Sequence, residues 1–163
     1  MLHPVSGDIL LTQAQVIAHG VAPNDPMNQG LALALHERYP AMHKDFHHWC
    51  NRYRPEPGAA WLWSAADGKR IVNLITQDGS YEHGAKPGKA SEKNVREALR
   101  VLAQLIVDEH FKSLALPRLA TGVGGLQWRT VWPIVEERLG NLSLPIYVYA
   151  EYHAGQQADE SIG

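Results

Sequence analysis

Cysteine is almost absent from this chain, and Cys50 is the only one. That excludes an internal disulfide and any zinc cluster built on cysteine, and leaves a buried apolar thiol as the expected role. Long hydrophobic runs are missing too. Charge or proline interrupts every apolar stretch before the ~20 residues that a membrane span needs, and no basic-then-apolar segment opens the chain. A cytoplasmic location with no membrane partner is therefore expected. Neither sign of charge dominates: the net charge is -2. Wholesale nucleic-acid binding is not expected, and any phosphate has to be held by local geometry rather than by a basic surface. Internal repeats and low-complexity blocks are also lacking.

What is present is an ordinary globular mixture, 45% hydrophobic and 20% charged over 163 residues, enough for one core. Short β-rich runs alternate with helical ones, the pattern of an α/β protein whose largely parallel sheet is covered by helices. Strands are expected at Leu2 to Val5, Val16 to His19, Ser113 to Pro117 and Pro145 to Tyr149. Trp61 to Trp63 and Arg70 to Thr76 read as a hairpin, because Ala66-Asp67-Gly68 between them is a turn signal. A loop from Gly20 to Gln29 leads to a helix opening at Gly30, which Pro40 ends or kinks. Ser91 caps a helix whose Val95, Leu99, Leu102 and Ile106 share one face. The last helix is expected to start at Thr130, with Pro133 inside its first turn, and to stop at Gly140. Residues 1–153 form the domain, and the polar tail 154–163 looks loose.

Two loops carry the chemistry. In a parallel sheet, ligands collect beyond the carboxyl ends of the strands, where helix N-termini and free backbone N–H groups point outward. Thr121-Gly122-Val123-Gly124-Gly125-Leu126 stands between a strand and a helix, and its glycines let the backbone approach a phosphate closely. The same cluster could serve only as a tight turn. Met27-Asn28-Gln29-Gly30 also meets a helix N-terminus, so a diphosphate could be gripped from two sides. Rival nucleotide motifs fail: Gln127 replaces the third glycine of a dinucleotide fingerprint, and Gly84 to Ser91 misses the spacing and hydroxyl of a P-loop. Leu105 to Glu109 continues a helix rather than forming a magnesium-binding strand. His43 and His47 have metal-compatible i, i+4 spacing, but with no third ligand evident, they and His48 read as solvated helix residues and no metal is expected. No nucleophile elbow or cysteine–histidine pair supports acyl-enzyme chemistry.

Gly7-Asp8-Ile9-Leu10, Ile17-Ala18-His19-Gly20, Gln29-Gly30-Leu31-Ala32, Asn73-Leu74-Ile75-Thr76-Gln77, Leu116-Pro117-Arg118 and Gly122 to Trp128 together resemble the macrodomain family. The likeness spans nearly the whole chain and is strongest to the branch of the terminal ADP-ribose protein glycohydrolase and the antitoxins that remove ADP-ribose from DNA. It implies a three-layer α/β/α fold with a mixed, largely parallel sheet and ADP-ribose lying across its top. Asp8 would recognise adenine, Ile9 would also contact ADP-ribose, and Tyr149 either borders the base or is a core strand aromatic. Gln29, Gly30, Leu31 and the segment Thr121, Gly122, Val123, Gly124, Gly125, Leu126 would hold the diphosphate and distal ribose. Two positions depart from the branch. Gln77 stands where its hydrolases carry lysine, and Gly124 where the glycohydrolase type is acidic and the antitoxin type has glycine, so a lysine-adduct mechanism does not carry over.

The implied activity is removal of single ADP-ribose groups from modified macromolecules, ester-linked acidic side chains foremost, by a monomer without cofactor. The alternatives are a non-catalytic ADP-ribose reader and an ADP-ribose 1''-phosphate phosphatase. Gln77, His19 and Asp25 are the candidates for polar assistance at the reacting carbon, with His83 a further one.

Overall fold

The computed structural model describes residues 1–82 and 84–161. The described residues form six strands, β1 (Leu2–Gly7), β2 (Val16–Val21), β3 (Ala60–Ser64), β4 (Arg70–Ile75), β5 (Leu114–Leu116) and β6 (Ile146–Tyr152). They make one sheet in the order β1-β6-β5-β2-β4-β3. Every neighbouring pair is parallel except β3 with β4, the expected hairpin, in which Leu62 faces Val72. The helices are α1 (Gly30–Arg38), α2 (Pro40–Tyr53), α3 (Glu92–Asp108) and α4 (Trp128–Leu139). None is long and apolar enough to cross a membrane.

Strand alternation explains the layering. On β2, Val16 and Ala18 join the core beneath α3 and α4, while Ile17 and Val21 join the core beneath α1 and α2. A central strand covered on both faces has to be apolar on both. His19 therefore stands out, since it is 1% exposed on that strand. Helix α3 follows the sequence closely: the Ser91 hydroxyl accepts the Asn94 N–H at 3.1 Å, and Val95, Leu99, Leu102 and Ile106 are all buried. Each such side chain contributes about 1.5–3 kcal/mol of gross burial energy, which fixes α3 against the sheet.

Three local expectations are corrected. Helix α4 begins at Trp128 rather than Thr130, so Pro133 lies in its interior. The missing N–H denies the Arg129 carbonyl its usual helical partner on an exposed face, while Trp128 and Trp132 pack with each other and against the core. The C-terminal tail is docked rather than loose. Ala158 is buried, the Gln156 carbonyl accepts the Asp8 N–H at 2.7 Å, and Glu160 binds the Thr12 and Tyr149 hydroxyls. His43 and His47 are half-buried between the first helices and the loop before them rather than solvated. Among the described residues no group of three His, Cys, Asp or Glu side chains is arranged to hold a metal. Cys50 is fully buried, and burial pushes its thiol up to about 11.

Candidate functional site

The loops that leave the carboxyl ends of β2, β4, β5 and β6 enclose a cleft with two lobes. One has a volume of about 430 Å³ and the other about 780 Å³, and Gly30, Leu31, Pro117 and Arg118 line both. The larger lobe is an apolar slot between Ile9, Leu10, Leu31 and Ala34 on one side and Tyr149 to His153 on the other. It suits a flat aromatic group. Tyr149 faces it from β6; burial first and the Glu160 carboxylate second raise its hydroxyl well above the ordinary phenol range. Asp8 stands behind this lobe, 7% exposed, with its two oxygens accepting the N–H groups of Leu10 at 3.0 Å and Gly155 at 2.9 Å.

The smaller lobe is rich in unpaired donors. Helices α1 and α4 begin at Gln29 and Gln127 without a capping side chain, whereas α3 is capped by Ser91. The first amides of an uncapped helix stay available, with the positive end of the helix dipole behind them. Between β5 and α4, the chain turns through Gly125, whose N–H donates to the Gly122 carbonyl at 3.0 Å, and Leu126 closes the loop on the Ala120 carbonyl at 2.9 Å. The N–H groups of Gly122, Val123 and Gly124 bond to no acceptor among the described residues. A Cβ at Gly122 would meet nothing within 4 Å, so this backbone borders open space. Three successive free amides make an anion nest. Arg118 lines both lobes, with its guanidinium 6.0 Å from the centre of the Trp128 ring, and the Lys89 ammonium lies against Gly125.

Polar side chains meet this nest from β2 and β4. His19 Nε2 lies 2.7 Å from Asn73 Oδ1, while the Asn73 amide nitrogen faces Met42 Sδ at 3.8 Å. With Oδ1 accepting, Nε2 carries the ring proton, and Nδ1 is a buried acceptor without a partner among the described residues. Burial lowers the His19 pKa against the opposing pull of Asn73 and Asp25, which keeps the ring neutral near pH 7. Asp25 is 7% exposed, and its carboxylate accepts the N–H groups of Ala22 at 2.9 Å and Met27 at 2.8 Å. Its first task is therefore to shape its own loop. Gln77 Nε2 donates to the Gly88 carbonyl at 3.0 Å, and Gln77 pairs with Ala90 in an isolated bridge. The Ala90 N–H in turn bonds the Gly124 carbonyl at 2.9 Å, which couples the loop after β4 to the glycine loop.

The structure brings His19, Asp25, Gln29, Gly30, Gln77, Gly122, Val123 and Gly124 to the polar lobe, and Ile9, Leu31 and Tyr149 to the apolar one. Asp8, Thr121, Gly125 and Leu126 support the walls instead: the Thr121 hydroxyl donates to the Arg118 carbonyl, and Leu126 packs on the core. His83 lies outside the described residues. Sequence reasoning gave Arg118 and Lys89 no role. Arg118 was visible as the cation directly after the β5 run, but nothing in the spacing marks Lys89, which comes from a distant loop.

Known proteins share this fold. A DNA ADP-ribosyl transferase–DNA ADP-ribosyl glycohydrolase fusion protein of Thermosipho africanus is 27% identical over 157 residues, covering 89% of this chain and 40% of the fusion. The chain thus spans less than half of that relative. The macrodomain of Thermus aquaticus DarG superposes with a TM-score of 0.80 at 26% identity over 92% of this chain and 98% of that one. Thermosipho africanus DarTG in complex with ADP-ribose gives a TM-score of 0.78 at 23% identity, over 96% of this chain and 42% of that one. Residues 18–135, from β2 and its neighbouring cleft loops through the glycine loop into α4, match the sequence model of the Macro domain, and the chain belongs to that family.

Proposed function

We propose that the cleft binds ADP-ribose and that the protein is a hydrolase releasing single ADP-ribose groups from modified macromolecules. The observation that carries this reading is the pairing of an apolar slot with a nest of free amides between two uncapped helix ends. The slot takes adenine, with Asp8 and Ile9 at its far edge, and the nest takes the diphosphate, with Arg118 offsetting its charge. The distal ribose then lies against His19, Asp25 and Gln77. Hydrolysis breaks the bond from the anomeric carbon to the leaving group as a water oxygen bonds to the same carbon. The leaving group keeps the electron pair, and the proton lost by water goes to an acceptor. His19 Nδ1 is an unpaired acceptor in that wall, while the Gln77 amide, tethered through Nε2, can orient water but cannot act as an amine.

The similar proteins named as DNA ADP-ribosyl glycohydrolases make ADP-ribosylated DNA the first substrate to test, beside an ADP-ribosyl ester of an acidic side chain. With a net charge of -2, the protein would engage DNA through the ADP-ribose group rather than through a broad basic face. A monomer acting in the cytoplasm completes the reading. Gln77 also favours a second possibility, a reader that binds without turnover. Calorimetry with ADP-ribose is expected to give micromolar or better affinity, about 8 kcal/mol, and no binding would refute both readings. Free ADP-ribose released from modified DNA or protein identifies the hydrolase. Binding without release identifies the reader, and phosphate released from ADP-ribose 1''-phosphate would identify a phosphatase.

A further inference from the structure

Outside the cleft wall, three imidazoles lie in a row against the loop that shapes it. The ring of His43 stacks on His36 with centroids 3.9 Å apart and meets His47 at a tilt of 46° with centroids 4.3 Å apart. His36 comes from α1 and the other two from α2. Their targets are three consecutive carbonyls. His36 Nδ1 bonds Met27 O at 3.2 Å, His43 faces Pro26 O, and His47 Nε2 bonds Asp25 O at 3.0 Å. A carbonyl only accepts, so both bonding nitrogens carry protons.

The loop needs such support. Asn24 and Met27 both have φ of 52° and Gly30, the first residue of α1, has φ of 58°, so the chain passes through the left-handed region three times on its way into the helix. The same loop carries Asp25, Asn28 and Gln29 into the polar lobe. From these contacts we infer that His36, His43 and His47 are positioning residues, a clamp that holds the 25–29 loop in its ligand-binding form only while His43 is neutral. This inference rests on the ADP-ribose reading of the cleft.

The geometry gives the clamp its sensitivity to acid. His43 Nε2 is buried and has no partner among the described residues. A proton there would create a buried N–H with no protein acceptor and put a cation between two rings at stacking distance. The groups facing His43 are His36 on α1, His47 on its own helix and Asp25 on the loop. Burial first and the two rings next oppose the proton more strongly than the Pro26 carbonyl and Asp25 favour it, so the His43 pKa is lowered. Acid therefore acts on the clamp below the ordinary histidine range. There a charged His43 ring is forced between His36 and His47, which pushes those rings apart and strains their bonds to the Met27 and Asp25 carbonyls.

The test is ADP-ribose affinity measured at about pH 7.5 and about pH 5.5 on the wild-type protein and on His43→Phe, which keeps a ring in the stack but takes no proton. Wild-type affinity is expected to fall about threefold on acidification, less than the roughly tenfold that a histidine of ordinary pKa would give at that pH, and that of His43→Phe to stay within about 1.5-fold. A flat wild-type profile overturns the inference, and so does an unchanged fall in His43→Phe, which would put the responsible proton elsewhere, His19 included. Should His43→Phe not fold, His43→Asn takes its place. Absence of binding at about pH 7.5 refutes the reading of the cleft but not the clamp. The clamp is then read from amide protection at Asp25 and Met27, whose N–H groups bond within the loop. Selective loss of that protection in acid, abolished in the variant, supports the clamp, and unchanged protection overturns it.

Discussion

Gly122 and Gly124 are two positions apart in one loop, yet a side chain added at each meets different surroundings. At Gly122 a Cβ meets nothing within 4 Å, so valine extends into the space proposed for the diphosphate without disturbing the fold. Gly122→Val is expected to unfold at the wild-type denaturant midpoint while losing about 100-fold in ADP-ribose affinity. Unchanged affinity would remove this loop from the site. At Gly124 a Cβ would sit 2.7 Å from the Ala120 carbonyl oxygen and 2.9 Å from the Ala90 Cβ, and backbone cannot yield as a flexible side chain can. Gly124→Ala should therefore cost about 1–3 kcal/mol of stability, read by urea denaturation, with any loss of binding following from the displaced loop.

At the scale of elements, α4 and the C-terminal tail offer the sharpest tests. Pro133→Ala restores an N–H that the Arg129 carbonyl lacks and places a good helix former on an exposed face. The gain is offset by the greater freedom of the unfolded chain, so a net stabilisation of about 1–2 kcal/mol is expected from denaturation; destabilisation would mean that the proline sets the direction of α4. In the tail, Glu160 accepts from Thr12 and Gln13 as well as Tyr149. Glu160→Ala should speed amide exchange in 154–161 and bring the Tyr149 hydroxyl part of the way back toward the ordinary phenol range, because the carboxylate ranks after burial among the causes of its shift. A phenol titration that does not move would show that the tail contact is inconsequential for Tyr149. These elements also mark what sequence could reveal. Helix α3 was legible because its cap and its apolar spacing agree, and the β3–β4 hairpin because a turn signal separates two aliphatic and aromatic runs. The start of α4 was not, since Gln127 gives no capping signal and the packing of Trp128 and Trp132 outweighs the preference of proline for a first turn. Tail docking and the histidine clamp rest on bonds to backbone carbonyls and amides distant in sequence, which carry no residue signature.

For the molecule as a whole, the 121–126 loop and the loop after β4 are connected through Ala90 and Gly124, so the cleft inherits the stability of a sheet whose central strand carries a buried histidine. That histidine gives the fold a pH dependence whose sign can be worked out. The folded-state pKa of His19 is depressed, with burial the largest cause, while the unfolded chain has the ordinary value near 6.5. Above about pH 6.5 both states are neutral and stability is full. As the pH falls below it, the unfolded chain takes up a proton that the folded chain refuses, and stability declines until the lower folded-state pKa is reached. One group of this kind gives a slope of at most about 1.4 kcal/mol per pH unit, and His43 acts in the same direction. Asp67 and Asp159, held low by local hydrogen bonds, lose their contributions only in the more acidic carboxylate range, so the window just below the ordinary histidine pKa reports the histidines. Urea denaturation across that window should show wild-type stability falling toward acid, and His19→Gln should be less stable at neutral pH but fall less steeply. An equal slope in the variant would mean that His19 takes up its proton as readily in the folded chain as in the unfolded one, contradicting the neutral, acceptor-bearing ring on which its proposed part in hydrolysis depends.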